Sequence, residues 1–464
     1  MRQRQHVLGR SVLATIVFVY CLLGFAYAVE TPKWQSPDEP AHYNYVVYLA
    51  EKRSLPVLVM GDYPHDYLEE IKAAGFPPEM SIEPLRYEFH QPPLYYSLAA
   101  LLYRITGSLG FDVQFLALRL LSVALGAILL LVAYLVVSEI FPGNLFLSLT
   151  STAMIATLPM HIAMTASINN DTLAELLLAL VIWLCIKEVK AALSRRKILA
   201  LGVLIGLVLL TKTTIYAPAI ACGLMALGIR DRQRRWRTFL TRIGLVYGLA
   251  VLLSGWWFLR NVATYGDLDL FGWHRHDSIV SGQPTTAQWV AQYGLTKTVQ
   301  DFFEVSFHSF WAQFGWMGVL IDSRLYLLLA ALSMAVLVGF ALWLVGIARG
   351  SPTLRTDQLL ALALLLLVFT VVASEHVYYN LKFVQHQGRY LFPALIPISL
   401  AFALGLLEWP TLLYQAAVRW RPRWPHAVTL RPALTWATFS IYYVGFVVLD
   451  VACLYLFVVP QLRG

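Results

Sequence analysis

Six short polar strings interrupt an otherwise apolar sequence, and each carries residues suited to chemistry. Ser36-Pro37-Asp38-Glu39-Pro40-Ala41-His42-Tyr43 sets adjacent carboxylates three to four positions before an imidazole. That spacing suits acid–base or cation chemistry, and the prolines would fix the turn that presents it. The same Asp and Glu also suit the first turn of a helix, where they complement its dipole. Arg86-Tyr87-Glu88-Phe89-His90-Gln91-Pro92-Pro93-Leu94-Tyr95-Tyr96 places a carboxylate and an imidazole two residues apart, before a proline pair that opens an aromatic helix. Its tyrosines fit a membrane-interface belt; Glu88 and His90 are not explained that way.

The other four strings are shorter. Asn169-Asn170-Asp171 lies between apolar runs, where Asp171 is either a helix cap or a functional carboxylate. Lys212 stands among threonines inside an apolar stretch. An ionisable residue at membrane depth is a functional candidate, with snorkelling to the interface as the competing account. Gly255-Trp256-Trp257-Phe258-Leu259-Arg260-Asn261 ends one apolar run, and His386-Gln387-Gly388-Arg389-Tyr390 begins another. An arginine at headgroup level suits bidentate phosphate recognition or an aromatic–basic anchor. His274 and His276 put two imidazoles near each other in a loop, a weak metal signal because catalytic zinc needs three protein ligands.

The elements that must position these strings follow from composition. Of 464 residues, 58% are hydrophobic and 13% are charged. A soluble domain is nearer 45–50% apolar and about 25% charged. The expected fold class is therefore an all-α polytopic membrane protein, organised as a single membrane domain over residues 1–464. Apolar runs of spanning length, about 20 residues, fall at 11–29, 115–138, 145–166, 172–189, 242–259, 324–347, 358–376, 389–408 and 434–459. The stretch 198–229 reads as two short spans joined at a polar turn around Lys212, which gives eleven spans. The first run resembles a signal peptide but is longer than such a core, and it is read as the first span. Cys21, Cys185, Cys222 and Cys453 all lie in apolar runs and read as packing residues.

The net charge of +8 is concentrated in short loops between spans. That is how membrane orientation is encoded, and it argues against nucleic acid as a partner. The basic segments are the N-terminus, 187–197, 230–242, 349–355 and 419–431. All five fall on one side only if the short run 93–106 lies at the interface rather than spanning. The N-terminus is then cytoplasmic. Residues 30–114 form a first extracytoplasmic loop with interfacial helices, and 260–323 form a second. All six polar strings fall on the outer side. No GxxxxGK[ST] or GxGxxG string is present, so a nucleotide-using enzyme on the inner side is disfavoured and a lipid-carried donor is expected.

In this order and on this side, the strings resemble the GT-C superfamily of membrane glycosyltransferases. The likeness is greatest to bacterial relatives of protein O-mannosyltransferases and lipid A aminoarabinose transferases (glycosyltransferase families 39 and 83). It is carried by Pro37-Asp38-Glu39-Pro40-Ala41-His42, Phe89-His90-Gln91-Pro92-Pro93-Leu94-Tyr95-Tyr96, Asn170-Asp171, Thr211-Lys212, Trp256-Trp257-Phe258-Leu259-Arg260-Asn261 with Tyr265-Gly266-Asp267, and Gln387-Gly388-Arg389-Tyr390-Leu391-Phe392-Pro393. The resemblance implies transfer of a sugar from a polyprenyl-phosphate carrier to an extracytoplasmic lipid, glycan or protein acceptor at the inner (plasma) membrane, with inversion.

Asp38 would be the general base, with Glu39 as the adjacent candidate. His42, Glu88, His90, Asp171, Lys212, Arg260, Arg389 and Tyr390 would bind substrate and carrier, with the three cations on its phosphate. Family 83 relatives use a carboxylate before a K-P-P string to help hold a divalent metal. Here the string is His90-Gln91-Pro92-Pro93 and Glu88 is displaced, so a metal site would have to draw on Glu88, His274 and His276. A transporter or flippase of lipid-linked sugars is the alternative from another class. It needs ionisable groups at mid-membrane depth, and the spans hold few beyond Lys212. A polysaccharide polymerase or ligase is the third reading.

Overall fold

A computed structural model describes residues 2–231, 236–420 and 427–463. Arg232, Arg234, Arg235, Arg421 and Arg423 of the basic segments lie outside the described residues. The N-terminal part runs α1 (Arg2–Glu30), α2 (Glu39–Lys52), α3 (His65–Ala73), α4 (Leu94–Thr106), α5 (Phe111–Ile140), α6 (Leu145–Ala156) and α7 (Pro159–Thr165). There follow α8 (Asp171–Lys190), α9 (Arg195–Leu209), α10 (Tyr216–Asp231) and α11 (Trp236–Tyr265). The second loop region holds α12 (Trp273–Ile279), α13 (Thr286–Tyr293), α14 (Leu295–Trp311) and a small hairpin of β1 (Gln313–Phe314) and β2 (Val319–Leu320). The C-terminal part is α15 (Ser323–Ala348), α16 (Thr356–Lys382), α17 (Leu395–Trp420), α18 (Ala427–Ala452) and α19 (Val459–Arg463).

Among the described residues, seven helical segments are long and apolar enough to cross a membrane. The pair α6–α7 makes an eighth if its two halves are one span, bent by 63°. The sequence shows that pair as one apolar run of spanning length over 145–166. Pro159 explains the break: it has no backbone N–H to donate into the preceding turn, so it starts a new helix instead. The count of eleven is not reached by length and apolarity. Helix α8 carries Glu175, Lys187 and Glu188, while α9 and α10 are 15 and 16 residues long. These three still pack inside the bundle, α8 against α5 and α9 against α11. The polar break between α9 and α10 falls at Leu210–Lys212, where two short helices were expected.

The run 93–106 forms α4. Leu94 N donates to Leu210 O at 2.9 Å, which seats its start against the end of α9. Tyr95 and Tyr96 are buried, while Leu98, Leu101 and Ile105 make an exposed apolar stripe. One buried and one exposed apolar face suit a helix lying in the interfacial plane. Helices α15 and α17 cross at close range: a Cβ on Gly339 would meet Gly405 O at 2.2 Å. Small residues allow such contact where lipid supplies no hydrophobic drive.

The spans hold more charge than the sequence reading allowed. Arg119 (α5), Glu175 (α8) and Asp450 (α18) are all buried. Glu175 takes a 2.8 Å contact from His161 Nε2. Arg119 is the centre of a larger hub. Its guanidinium meets Glu39 with two hydrogen bonds (2.8 and 2.7 Å) and donates to Ala28 O, Thr31 O and Pro32 O. Glu39 also accepts from Trp34 N and Ile168 N. One ion pair thereby ties together the end of α1, the following turn, α2, α5 and the segment before α8. Breaking one side of such a buried pair strands the other charge, at a cost of about 3–5 kcal/mol. Arg119→Ala should therefore lower the melting temperature of the detergent-solubilised protein sharply. An unchanged melting temperature would show that the hub is not holding these elements.

Candidate active site

The hub sets the position of the residue beside it. Asp38 precedes α2 in a left-handed conformation, φ 65°. Asp tolerates this better than most residues. With Glu39 fixed inward by Arg119, the Asp38 side chain turns to a different set of partners. Its Oδ2 accepts from Arg389 at 2.8 Å, and its Oδ1 accepts from the Tyr87 hydroxyl at 3.0 Å. The carboxylate stays 28% exposed, so it remains open to a ligand.

Arg389 is held from behind. Its Nε donates to Gln387 Oε1 at 2.6 Å, and its guanidinium lies near the Tyr390 ring. Gly388 seats this loop against α14: its N–H donates to Ser309 Oγ at 2.7 Å. A Cβ on Gly388 would sit 2.1 Å from Ser306 O and 2.5 Å from Phe310 N. Only glycine allows the loop to lie this close to the α14 backbone.

Opposite this pair stands a second one. Lys212 Nζ donates to Asp171 Oδ1 at 2.6 Å. Asp171 is the first residue of α8, its N–H held by Asn169 Oδ1, and Asn170 Nδ2 reaches Thr211 O. His42 lies one turn beyond Asp38, with Nδ1 2.8 Å from the Tyr96 hydroxyl. Tyr96 in turn stacks on Tyr45 at 3.8 Å. Glu88, in the short helix Tyr87–His90, has one buried carboxylate oxygen with no hydrogen-bond partner among the described residues.

These groups share one electrostatic field. Burial alone would raise the Asp38 carboxyl, but Arg389, His42 and the Tyr87 hydroxyl outweigh it and hold Asp38 below its ordinary range. Burial raises Glu88 instead, with His42 only partly opposing and Asp38 adding to the rise. Burial lowers His42, against the opposing pull of Glu88, so its ring is neutral at pH 7. Two carboxylates pushed in opposite directions within one site make a natural division into an ionised group and a proton carrier.

Asp38, His42, Glu88, Asp171, Lys212, Arg389 and Tyr390 are thus brought together. Glu39 is not available as a base: it is fully buried, and both its oxygens are engaged in the Arg119 hub. Arg260 is tied to the first loop through Pro56 O and to Asn261 and Tyr265, with its guanidinium over Trp257. That is the aromatic–basic anchor the sequence also allowed. His90 pairs its ring with His276 of α12 at 4.4 Å and bonds Tyr87 O through Nδ1. His274 is exposed. No group of three or more His, Cys, Asp or Glu among the described residues is arranged to hold a metal ion. Glu88, His274 and His276 therefore do not assemble the metal site that the sequence left open. Two participants are not singled out by residue type and spacing alone. Tyr87 sits in an aromatic string that suits an interface belt, and the one signal for Arg119 is a lone arginine inside an apolar run.

Comparison with solved structures places the fold. The chain is similar to ArnT from Cupriavidus metallidurans bound to undecaprenyl phosphate, with TM-score 0.53 and 14% identity over 97% of this chain and 73% of that one. It is also similar to the apo oligosaccharyltransferase of Archaeoglobus fulgidus, with TM-score 0.55 and 12% identity over 95% of this chain. It spans 56% of that protein's length. The architecture is the all-α polytopic GT-C fold. The profile of the family DUF2142, described as a predicted membrane protein, matches residues 85–398, and the chain belongs to that family. It is an integral, multi-pass membrane protein. A comparison with curated proteins finds no match.

The close seat of Gly388 yields a direct test. Gly388→Ala forces the Arg389 loop off α14 and should cost about 1–3 kcal/mol, read as a lower melting temperature. An unaltered melting temperature would mean that the loop is free to shift.

Proposed function

We propose that the protein is a glycosyltransferase that moves a sugar from a polyprenyl-phosphate carrier to a hydroxyl acceptor on the extracytoplasmic side of the inner membrane. The observation that carries this reading is the Asp38–Arg389 pair: a part-open carboxylate bonded to a nearly buried guanidinium. The likeness in fold to a protein solved with undecaprenyl phosphate supports it. The sidedness rests on the basic loops, because Lys187, Lys190 and Arg195 lie at the opposite end of α8 from Asp171.

Arg389 and Lys212 are the cations for the carrier phosphate. Each is paired with a carboxylate, so the phosphate must compete for them. When Arg389 turns to the phosphate, Asp38 loses the partner that keeps its pKa low and becomes a better base. The acceptor oxygen then attacks the anomeric carbon as Asp38 takes its proton. The bond from that carbon to the phosphate oxygen breaks, and its electron pair leaves with the polyprenyl phosphate. Arg389 and Lys212 stabilise the charge that grows on the phosphate. Attack opposite the leaving group inverts the anomeric centre. Glu88 favours a second assignment within this reaction. Its unpartnered oxygen and raised pKa suit a base working nearer neutral pH.

Two measurements separate these roles. In membranes supplied with a panel of polyprenyl-phosphate sugars, Asp38→Asn should abolish release of free polyprenyl phosphate while insertion and melting temperature persist. Full release in that variant removes Asp38 from the reaction. The pH profile assigns the base. For kcat/KM, which reports the free enzyme, activity that depends on ionised Asp38 should fall only below about pH 3.9, because its pKa is lowered. The acid limb of kcat should lie at higher pH, because the phosphate has drawn Arg389 away. Coincident limbs above about pH 4.3 would give the base role to Glu88.

A further inference from the structure

Beside the site, α13, α14 and the segment after α16 line an open cavity of about 560 Å³, bordered by Trp289, Tyr293, Lys297, Asp301, His386 and Gln387. Its volume is within the usual range for small-molecule sites, about 300–1,000 Å³. Three features define what it would take. Trp289 and Tyr293 place their rings 4.5 Å apart at 52°, offering aromatic faces. Lys297 is already paired with Asp301, which also accepts from Trp289 Nε1, so the wall carries no spare positive charge for an anion. The floor contains a buried acceptor.

That acceptor is His386 Nε2, in a ring only 6% exposed. Asn380 fixes its tautomer. Gln385 N donates to Asn380 Oδ1 at 3.1 Å, and Asn380 Nδ2 donates to His376 O and Gln385 O. The same Oδ1 lies 2.7 Å from His386 Nδ1 and must accept from it. The ring proton therefore sits on Nδ1, and Nε2 presents a lone pair that has no partner among the described residues. Burial lowers the His386 pKa, partly opposed by Asp301, and keeps that lone pair free of a proton. A buried acceptor of this kind calls for a hydroxyl or N–H donor from a ligand.

We propose that this cavity binds a neutral saccharide, which is the hydroxyl-bearing acceptor in the reaction assigned above. Sugar C–H faces lie against the two aromatic rings, and a sugar hydroxyl donates to His386 Nε2. The proposal rests on the glycosyltransferase reading for the word acceptor, and on the cavity alone for the word saccharide. Gln387 links the two places physically. It borders the cavity, and its Oε1 takes the hydrogen bond of Arg389 Nε, whose terminal nitrogen holds Asp38. An occupant therefore lies one residue from the Asp38 pair.

The test is saturation-transfer NMR on the full-length protein in nanodiscs, with methyl glycosides and disaccharides of glucose, galactose, mannose and xylose as probes. At least one should bind wild type. Trp289→Ala should weaken it about tenfold, the loss of one aromatic platform. His386→Phe should weaken it, and His386→Gln, which keeps an acceptor, should restore part of the binding. Melting temperatures identify any variant that fails to fold, and the Trp289 and His386 series then substitute for each other. The proposal is overturned if no saccharide binds, if the Trp289 and His386 variants bind unchanged, or if neutral peptides of the same size bind where saccharides do not. Failure of the glycosyltransferase reading looks different: saccharide binding persists, while no polyprenyl-phosphate sugar is consumed.

Discussion

The arrangement depends on one buried ion pair. Arg119 stands inside the apolar helix α5, where an unpaired guanidinium could not be tolerated, and Glu39 neutralises it with two short hydrogen bonds. The remaining donors of Arg119 go to carbonyls at the end of α1 and the turn after it. The start of α2 is therefore nailed to two spanning helices. Desolvating both charges is expensive and is offset only by full hydrogen bonding. That demand for full partners makes the hub a positioning device. With Glu39 committed inward, Asp38 is left on the adjacent left-handed turn, facing Arg389.

The site is built from segments far apart in sequence, and each is fixed by a different local device. A short helix, Tyr87–His90, carries Tyr87 and Glu88 and ends before the Pro92-Pro93 pair. An Asn–Asn–Asp turn starts α8 and presents Asp171. A glycine that admits no side chain lets the Arg389 loop press against α14. The result is two ion pairs, Asp38–Arg389 and Asp171–Lys212, around a neutral histidine and an unpaired glutamate. Both cations have carboxylate partners. Under the proposed function a carrier phosphate would take them by exchange of partners, and that exchange would raise the basicity of Asp38.

Much of this was legible in the sequence because membrane proteins write their architecture in apolar runs and basic loops. The all-α polytopic class follows from those signals, and the polar strings between the runs name most of the residues that the fold brings together around Asp38. Glu39 was not legible, because adjacent carboxylates look alike until their helix is placed, and only the position of Arg119 tells them apart. The break at Pro159 was hidden inside a run whose total length suited one span. Arg260 and the histidines of the second loop illustrate the opposite limit. Their types suit phosphate and metal, but Arg260 is tied to the first loop's backbone at Pro56, His276 lies against the His90 ring of the first loop, and His274 is exposed. Side-chain type fixes what a residue is able to bind; the fold decides what is within its reach.

Whether Arg389 exchanges Asp38 for the carrier phosphate is read from a cryo-EM structure of the protein in nanodiscs with added polyprenyl phosphate. Phosphate density within hydrogen-bonding distance of Arg389, with the Arg389–Asp38 contact longer than 2.8 Å, is the predicted result. Phosphate bound at the opposite end of α8, with the Asp38–Arg389 pair intact, would contradict it.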